Sequence, residues 1–351
     1  MTCPEIEPDL KCKFLVMGDM QYEPTPLTGD GLNARRDPRQ WMIRDSINHA
    51  VAQHPDIFFA ATTGDYADPR VNEPNSQLAY DELRPFLQSA GVPWYSPVGN
   101  HDVRDGLTSG AGDNAPFYTN TNVFETNLTT VAGKTFVETA YGHGVETCPV
   151  TGMIFDIFVL NSLEEAPAGV NGQFKMSQVQ EAWLQNELNA LTAANRRVVV
   201  FTHAAFITNA TRGGNDFEQI HNGGEVASSA TLSGQAKTVT DMLSTWQANS
   251  AGGLVIGVFA GHTHIEGHSL TSGVSDTPQE RINHFTLDEF DEVVATARAS
   301  GDYDGTNPLV TSNLNFLSSA AVCWNETKKR LEIIGYGQQE SYIVDMSDRI
   351  N

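Results

Sequence analysis

Apolar residues along the chain fall into short runs of two kinds, separated by longer polar stretches. Runs of four to eight residues without a helical period read as buried strands. They cover residues 13–17, 57–61, 94–98, 153–160, 198–201 and 254–260, and strands are also expected at 135–141, 313–324 and 330–336. Other segments repeat their apolar positions at helical spacing. Asp37 and Pro38 open one helix as N-cap and first helical residue, with Ile43, Ile47, Ala50 and Val51 on one face, and His54-Pro55 ends it. Further helices are expected at 76–90 and 235–248, the latter with Val239, Met242, Leu243 and Trp246 inward. Ser177-x-x-Gln180 is a capping box that starts another, with Val179, Trp183, Leu184 and Leu188 as its buried stripe. A short acidic helical piece is expected at 287–299. The strand–helix–strand order of the first three elements is a parallel crossover unit.

Five of the strands end in chemistry. Residues 13–17 lead into Gly18-Asp19-Met20-Gln21, and 57–61 lead through two threonines into Gly64-Asp65-Tyr66-Ala67-Asp68. The run 94–98 leads into Gly99-Asn100-His101-Asp102, 198–201 into Thr202-His203, and 254–260 into Gly261-His262-Thr263-His264. Taken singly, most of these are ordinary polar turns, and a lone histidine such as His203 is more often a satisfied core residue than a ligand. Together, Asp, Asn, Gln and His side chains at successive strand ends form a mixed oxygen and nitrogen donor set without thiolate. That set suits Mn, Fe, Zn, Ni or Mg. Asp65 is the natural bridging carboxylate between two divalent ions. Two ions about 3.5–4 Å apart would clamp an in-line displacement at phosphorus.

The bulk properties narrow the substrate. Over 351 residues the net charge is −22, which argues against a nucleic-acid surface. No apolar run approaches the length of a membrane span, and no secretory leader is evident. An anionic substrate needs a locally positive site, which bound dications would supply against Asp19 and Asp65. The expected partner is a small-molecule phosphoester. Cys3 and Cys12 are near enough in sequence to pair, leaving Cys148 to pair with Cys323, although sequence allows three pairings or none. Scarce lysine and Asn-x-Thr sequons at Asn127, Asn209 and Asn325 point towards a secreted or periplasmic protein.

The ordered motifs Asp-x-Gln, Gly-Asp-x-x-Asp, Gly-Asn-His-Asp, His and Gly-His-x-His resemble those of the calcineurin-like metallophosphoesterase superfamily, from Phe14 to His264. The resemblance implies one α/β domain, a four-layer α/β/β/α sandwich of two mixed sheets flanked by helices. Its loop insertions fall near 105–130 and 207–232, with a C-terminal extension near 271–307. It implies metal-dependent hydrolysis of phosphomonoesters or phosphodiesters by a hydroxide held on the metals. Asp19, Gln21, Asp65 and His264 would hold one ion, and Asp65, Asn100, His203 and His262 the other, with Mn as the expected metal. His101 would protonate the leaving oxygen, oriented by Asp68 or Asp102. Gln21 departs from the commoner histidine and brings a neutral amide oxygen. This Asp-x-Gln variant is similar to manganese-dependent ADP-ribose/CDP-alcohol diphosphatases and to calcineurin-like phosphoesterase domain-containing phosphatases. A nucleoside-diphosphate-linked pyrophosphatase is therefore the alternative activity, and a non-catalytic scaffold of the same fold is the alternative from another class. Arg35, Arg36, Arg104, Arg212 and His221, on or beside the loops at the site edge, are candidates for further substrate contacts.

Overall fold

The computed structural model describes residues 10–18, 20, 39–65, 82–85, 87–99, 102, 141–162, 176–192, 194–204, 234–261, 267–271, 277–286, 318–337 and 341–349. They form two six-stranded mixed sheets with helices. The first sheet contains β1 (Lys11–Met17), β2 (Ile57–Thr62), β3 (Trp94–Tyr95), β10 (Ser318–Asn325), β11 (Arg330–Gly337) and β12 (Tyr342–Asp345), in the order β12-β11-β10-β1-β2-β3. The second contains β4 (Gly142–Thr147), β5 (Ile154–Val159), β6 (Arg197–Phe201), β7 (Leu254–Ala260), β8 (Gly267–Thr271) and β9 (Ile282–Thr286), in the order β4-β5-β6-β7-β9-β8. The helices are α1 (Arg39–Gln53), α2 (Gln178–Ala190) and α3 (Gly234–Asn249). Residues 82–85 and 87–89 are also helical.

Strands β1, β2 and β3 run parallel, as do β5, β6, β7 and β9. Parallel strands send all their C-terminal ends to one edge, where ligand sites of open α/β sheets form. The sheets meet through an aromatic core. Phe14 stacks on Phe59 at 4.6 Å and meets Phe155, Phe201 and Phe259 edge-on. Burying each such ring contributes about 2–3 kcal/mol. On the other face of the second sheet, Trp183, Leu184 and Leu188 of α2 join Val239, Leu243 and Trp246 of α3 over Val198, Val200 and Val258. Helix α1 makes the crossover from β1 to β2 and buries Ile43, Ile47 and Ala50.

Several expectations need correction. The 94–98 run is a ladder strand only at Trp94–Tyr95, since Pro97 has no N–H to extend the pairing. The strand expected at 135–141 falls mostly outside the described residues, and β5 pairs instead with Gly142–Thr147. Two glycines lower the strand propensity of that segment. The fold uses one of them, because a Cβ on Gly144 would collide with the Tyr95 ring of the facing sheet. The Tyr95 hydroxyl then donates to Glu146 Oε1 at 2.5 Å. In α2, Val179 is exposed and Gln180 is buried in its place. The Ser177 hydroxyl does cap the helix, accepting from the Gln180 N–H at 3.0 Å. The Gln180 amide turns away from the box to pair with both main-chain groups of Asn161, at 2.8 and 2.9 Å. Strands β8, β9 and β12 were not anticipated, and the helical piece at 287–299 lies outside the described residues.

The cysteines also pair otherwise than expected. Cys12 is bonded to Cys148, with Cα atoms 5.7 Å apart and a sequence separation of 136, while Cys323 is free and buried. Side-chain alternation explains this. Cys12 points into the core between the sheets, where Cys148 lies. Cys323 faces Lys13 across the β1–β10 ladder and so belongs to the other side of the sheet. Burial pushes the Cys323 thiol up to about 11, which leaves it inert. The sequon at Asn325 is closed as well. Asn325 is fully buried, accepts the Lys328 N–H at 2.9 Å and donates to Glu332 at 3.3 Å.

Candidate active site

The C-terminal ends of β1, β2, β3, β6 and β7 are drawn together by hydrogen bonds that run from loop to loop. Thr63 N–H donates to Met17 O at 3.1 Å, joining the ends of β2 and β1. The Thr63 carbonyl accepts from His203 Nδ1 at 2.8 Å, joining β2 in one sheet to β6 in the other. Gly261 N–H donates to His203 O at 3.1 Å, joining β7 to β6. Ala204 N–H donates to Ser162 Oγ at 3.2 Å, which brings in the end of β5. Asp102 closes the ring: its Oδ2 accepts from Asp65 N at 2.7 Å and from Gly99 N at 2.8 Å.

Asp65 and His203 lie at the centre, both fully buried. A carbonyl can only accept, so Nδ1 of His203 donates to Thr63, and in the neutral ring Nε2 would carry the lone pair. That nitrogen lies 3.3 Å from Asp65 Oδ2. A charge-assisted hydrogen bond would be shorter, about 2.7–2.9 Å. Two donor atoms each about 2.1 Å from one ion lie roughly 3.0–3.4 Å apart when they subtend 90–109°. The pair therefore fits two ligands of one divalent cation, with Thr63 fixing the ring as an outer partner.

Local backbone geometry makes this approach possible. Gly64 and Asp65 both adopt positive φ, 94° and 51°. Aspartate tolerates the left-handed region better than most residues, and the turn it forms swings the carboxylate towards β6. Gly99 lies so close that a Cβ there would collide with Asp65 N and Oδ1.

Of the residues expected at the site, Asp65, His203 and Asp102 are described, and the structure brings all three to one place. Asp19, Gln21, Asp68, Asn100, His101, His262 and His264 lie outside the described residues, as do Arg35, Arg36, Arg104, Arg212 and His221. Among the described residues no group of three or more His, Cys, Asp and Glu side chains is placed to hold a metal ion. Asp65 and His203 are the two expected ligand positions that fall within the described residues. The sequence reading missed the end of β5. Its run closes on Asn161-Ser162, both buried, in the same apolar-then-polar form as the other five strands but without a glycine or a charged residue to mark it.

A model of the calcineurin-like phosphoesterase family matches residues 12–266. No curated protein sequence matches the chain. Among solved structures, a dimetal phosphatase from Danio rerio is similar over 97% of this chain and 100% of its own, with a TM-score of 0.57 and 17% identity. A purple acid phosphatase from seeds of yellow lupin, Lupinus luteus, is similar over 96% of this chain and 53% of its own, with a TM-score of 0.54 and 10% identity. At these identities the two structures speak for the fold. The family match covers most of the chain and ends just beyond His264. The chain belongs to the calcineurin-like phosphoesterase family, whose members hydrolyse phosphoester bonds with divalent metal ions.

Proposed function

We propose that the protein hydrolyses a small phosphomonoester or phosphodiester at a dinuclear centre of manganese type, to which Asp65 would contribute a ligand for both ions. The observation that carries this reading is the 3.3 Å approach of Asp65 Oδ2 and His203 Nε2, made by residues from opposite sheets and fixed by the Thr63 carbonyl. When bound, two dications supply Lewis-acid charge at the phosphoryl oxygens and a water acidic enough to ionise at neutral pH.

The chain's own residues do the rest. Asp19, Gln21 and His264 complete the first ligand set around Asp65. Asn100, His203 and His262 complete the second. His101 would donate a proton to the departing oxygen, with Asp68 as a group to orient its ring. The Cys12–Cys148 disulfide supports an exported location, since such bonds persist in oxidising compartments.

Parallel assays of p-nitrophenyl phosphate, bis-p-nitrophenyl phosphate and ADP-ribose, each with Mn, Ni, Zn and Mg, test the substrate class. The simple esters are the expected substrates. A preference for ADP-ribose by orders of magnitude would replace this reading with the pyrophosphatase suggested by Asp19-x-Gln21 and the adjacent Tyr22.

A further inference from the structure

Asp68 or Asp102 was expected to orient the ring of His101, which lies outside the described residues. The Asp102 carboxylate has main-chain partners among the described residues. One oxygen, Oδ2, accepts two main-chain N–H groups from two loops: that of Asp65 after β2 at 2.7 Å and that of Gly99 after β3 at 2.8 Å. The Asp102 N–H donates to Gly99 O at 3.0 Å, closing the turn that carries residues 100 and 101. The residue is only 2% exposed, so water does not compete for these bonds.

The two amides it grips belong to backbones in van der Waals contact, with no room for a side chain on Gly99. One of them follows Gly64 and belongs to Asp65, both in the left-handed region. Such a backbone persists where its surroundings hold it. One buried oxygen accepting both N–H groups supplies that hold, because it ties the two loops at a single point.

We propose that Asp102 is a positioning residue. It anchors the Asp65 peptide to the Gly99 turn and so sets the direction in which the Asp65 carboxylate meets His203 Nε2. The same bonds hold Gly99, at the end of β3, against the Asp65 loop, so one buried carboxylate joins two strand ends. This inference rests on the reading of the site as a metal centre.

The test titrates full-length wild type, Asp102→Ala and Asp102→Asn with Mn by calorimetry, and measures kcat, KM and their pH dependence on bis-p-nitrophenyl phosphate. Asp102→Ala should weaken Mn binding by about 10- to 100-fold, the range for loss of an outer partner of a ligand. Asp102→Asn should stay within about threefold of wild type, because its amide oxygen accepts both N–H groups. KM for the ester should be unchanged, and excess Mn should recover part of the lost kcat.

Wild-type Mn affinity in Asp102→Ala, with a displaced pH profile, would overturn the proposal and return Asp102 to His101. If the alanine variant does not fold, the asparagine variant decides: a tenfold or greater loss of Mn affinity in a folded Asp102→Asn overturns it. A wild type that binds no Mn would overturn the metal-centre reading and this proposal together.

Discussion

The same two sheets are joined at both ends of the molecule, by different means. At the end opposite the site, the Cys12–Cys148 disulfide ties β1 to the turn after β4. Arg197, at the start of β6, reaches across to Glu326 beyond β10 at 3.0 Å, donates to Gly252 O at 2.8 Å and lies over the Trp324 ring. Buried charge here is matched with opposite charge. Asp156 receives Arg196 through two nitrogens at 2.5 Å and His143 at 2.9 Å. At the site edge, the bonds join main-chain groups to one histidine and one aspartate, and the Asp65 carboxylate meets Nε2 of an imidazole at 3.3 Å. The far edge is built for cohesion. The site edge sets Asp65 Oδ2 against His203 Nε2, a pair spaced to fit ligands of one cation, and it relies on the far edge to hold the sheets in register.

The largest expected effect separates the two edges most sharply. His203→Ala removes a proposed ligand and the link to Thr63. It should lower turnover by about 10³-fold or more, since metal charge contributes several kcal/mol to such transition states. Thermal unfolding should move by only a few degrees. A large loss of stability without loss of metal would reverse the assignment of the two edges.

Breaking the far edge should do the opposite. Reduction of the disulfide, or Cys12→Ser, should lower unfolding free energy by about 2–5 kcal/mol, as expected for closure of a long loop, with kcat retained below the melting transition. Arg197→Met leaves Glu326 short of a partner. It should cost roughly 2 kcal/mol in denaturant unfolding and leave turnover unchanged.

Acid sharpens the same contrast. Burial alone would raise the Asp156 pKa, but hydrogen bonds from His143 and Arg196 outweigh it and hold the carboxyl below its ordinary value. At Glu326 burial is likewise outweighed, by Lys329, Arg197 and Trp324. Each group binds its proton more weakly folded than unfolded. The stability each contributes is therefore complete above the unfolded value, about 4, and is lost as pH falls below it. Unfolding measured against pH should show this loss, and Asp156→Asn should flatten it. The smallest effect, about 1 kcal/mol, is expected for Ser177→Ala, which removes the N-cap of α2.

Much of this was legible in the sequence wherever a strand is buried on both faces. The run 254–260 coincides with β7, and 57–61 and 198–201 each fall within a residue or so of β2 and β6, because an unbroken apolar run has few other fates. The gathering of Asp65, His203 and Asp102 followed from the same rule, since parallel strands share one C-terminal edge. What stayed hidden was decided by tertiary contacts. Strand β4 is written in glycines that seat Tyr95 from the other sheet. Gln180 is buried to satisfy Asn161. The Cys12–Cys148 bond depends on which face of β1 a side chain takes. The bonds of Asp102 reach across loops, and no local pattern in Gly99-Asn100-His101-Asp102 tells two main-chain amides from one imidazole.

The central claim is that Asp65 holds the metal on which phosphoester hydrolysis depends. It is tested most directly by hydrolysis of bis-p-nitrophenyl phosphate in wild type and Asp65→Asn, after exhaustive chelation and again after return of Mn, with metal content measured at each stage. Wild type should lose activity on chelation and regain it with bound Mn, while a folded Asp65→Asn should recover neither metal nor turnover. Full activity in the chelated wild type, or wild-type recovery by Asp65→Asn, would contradict the account.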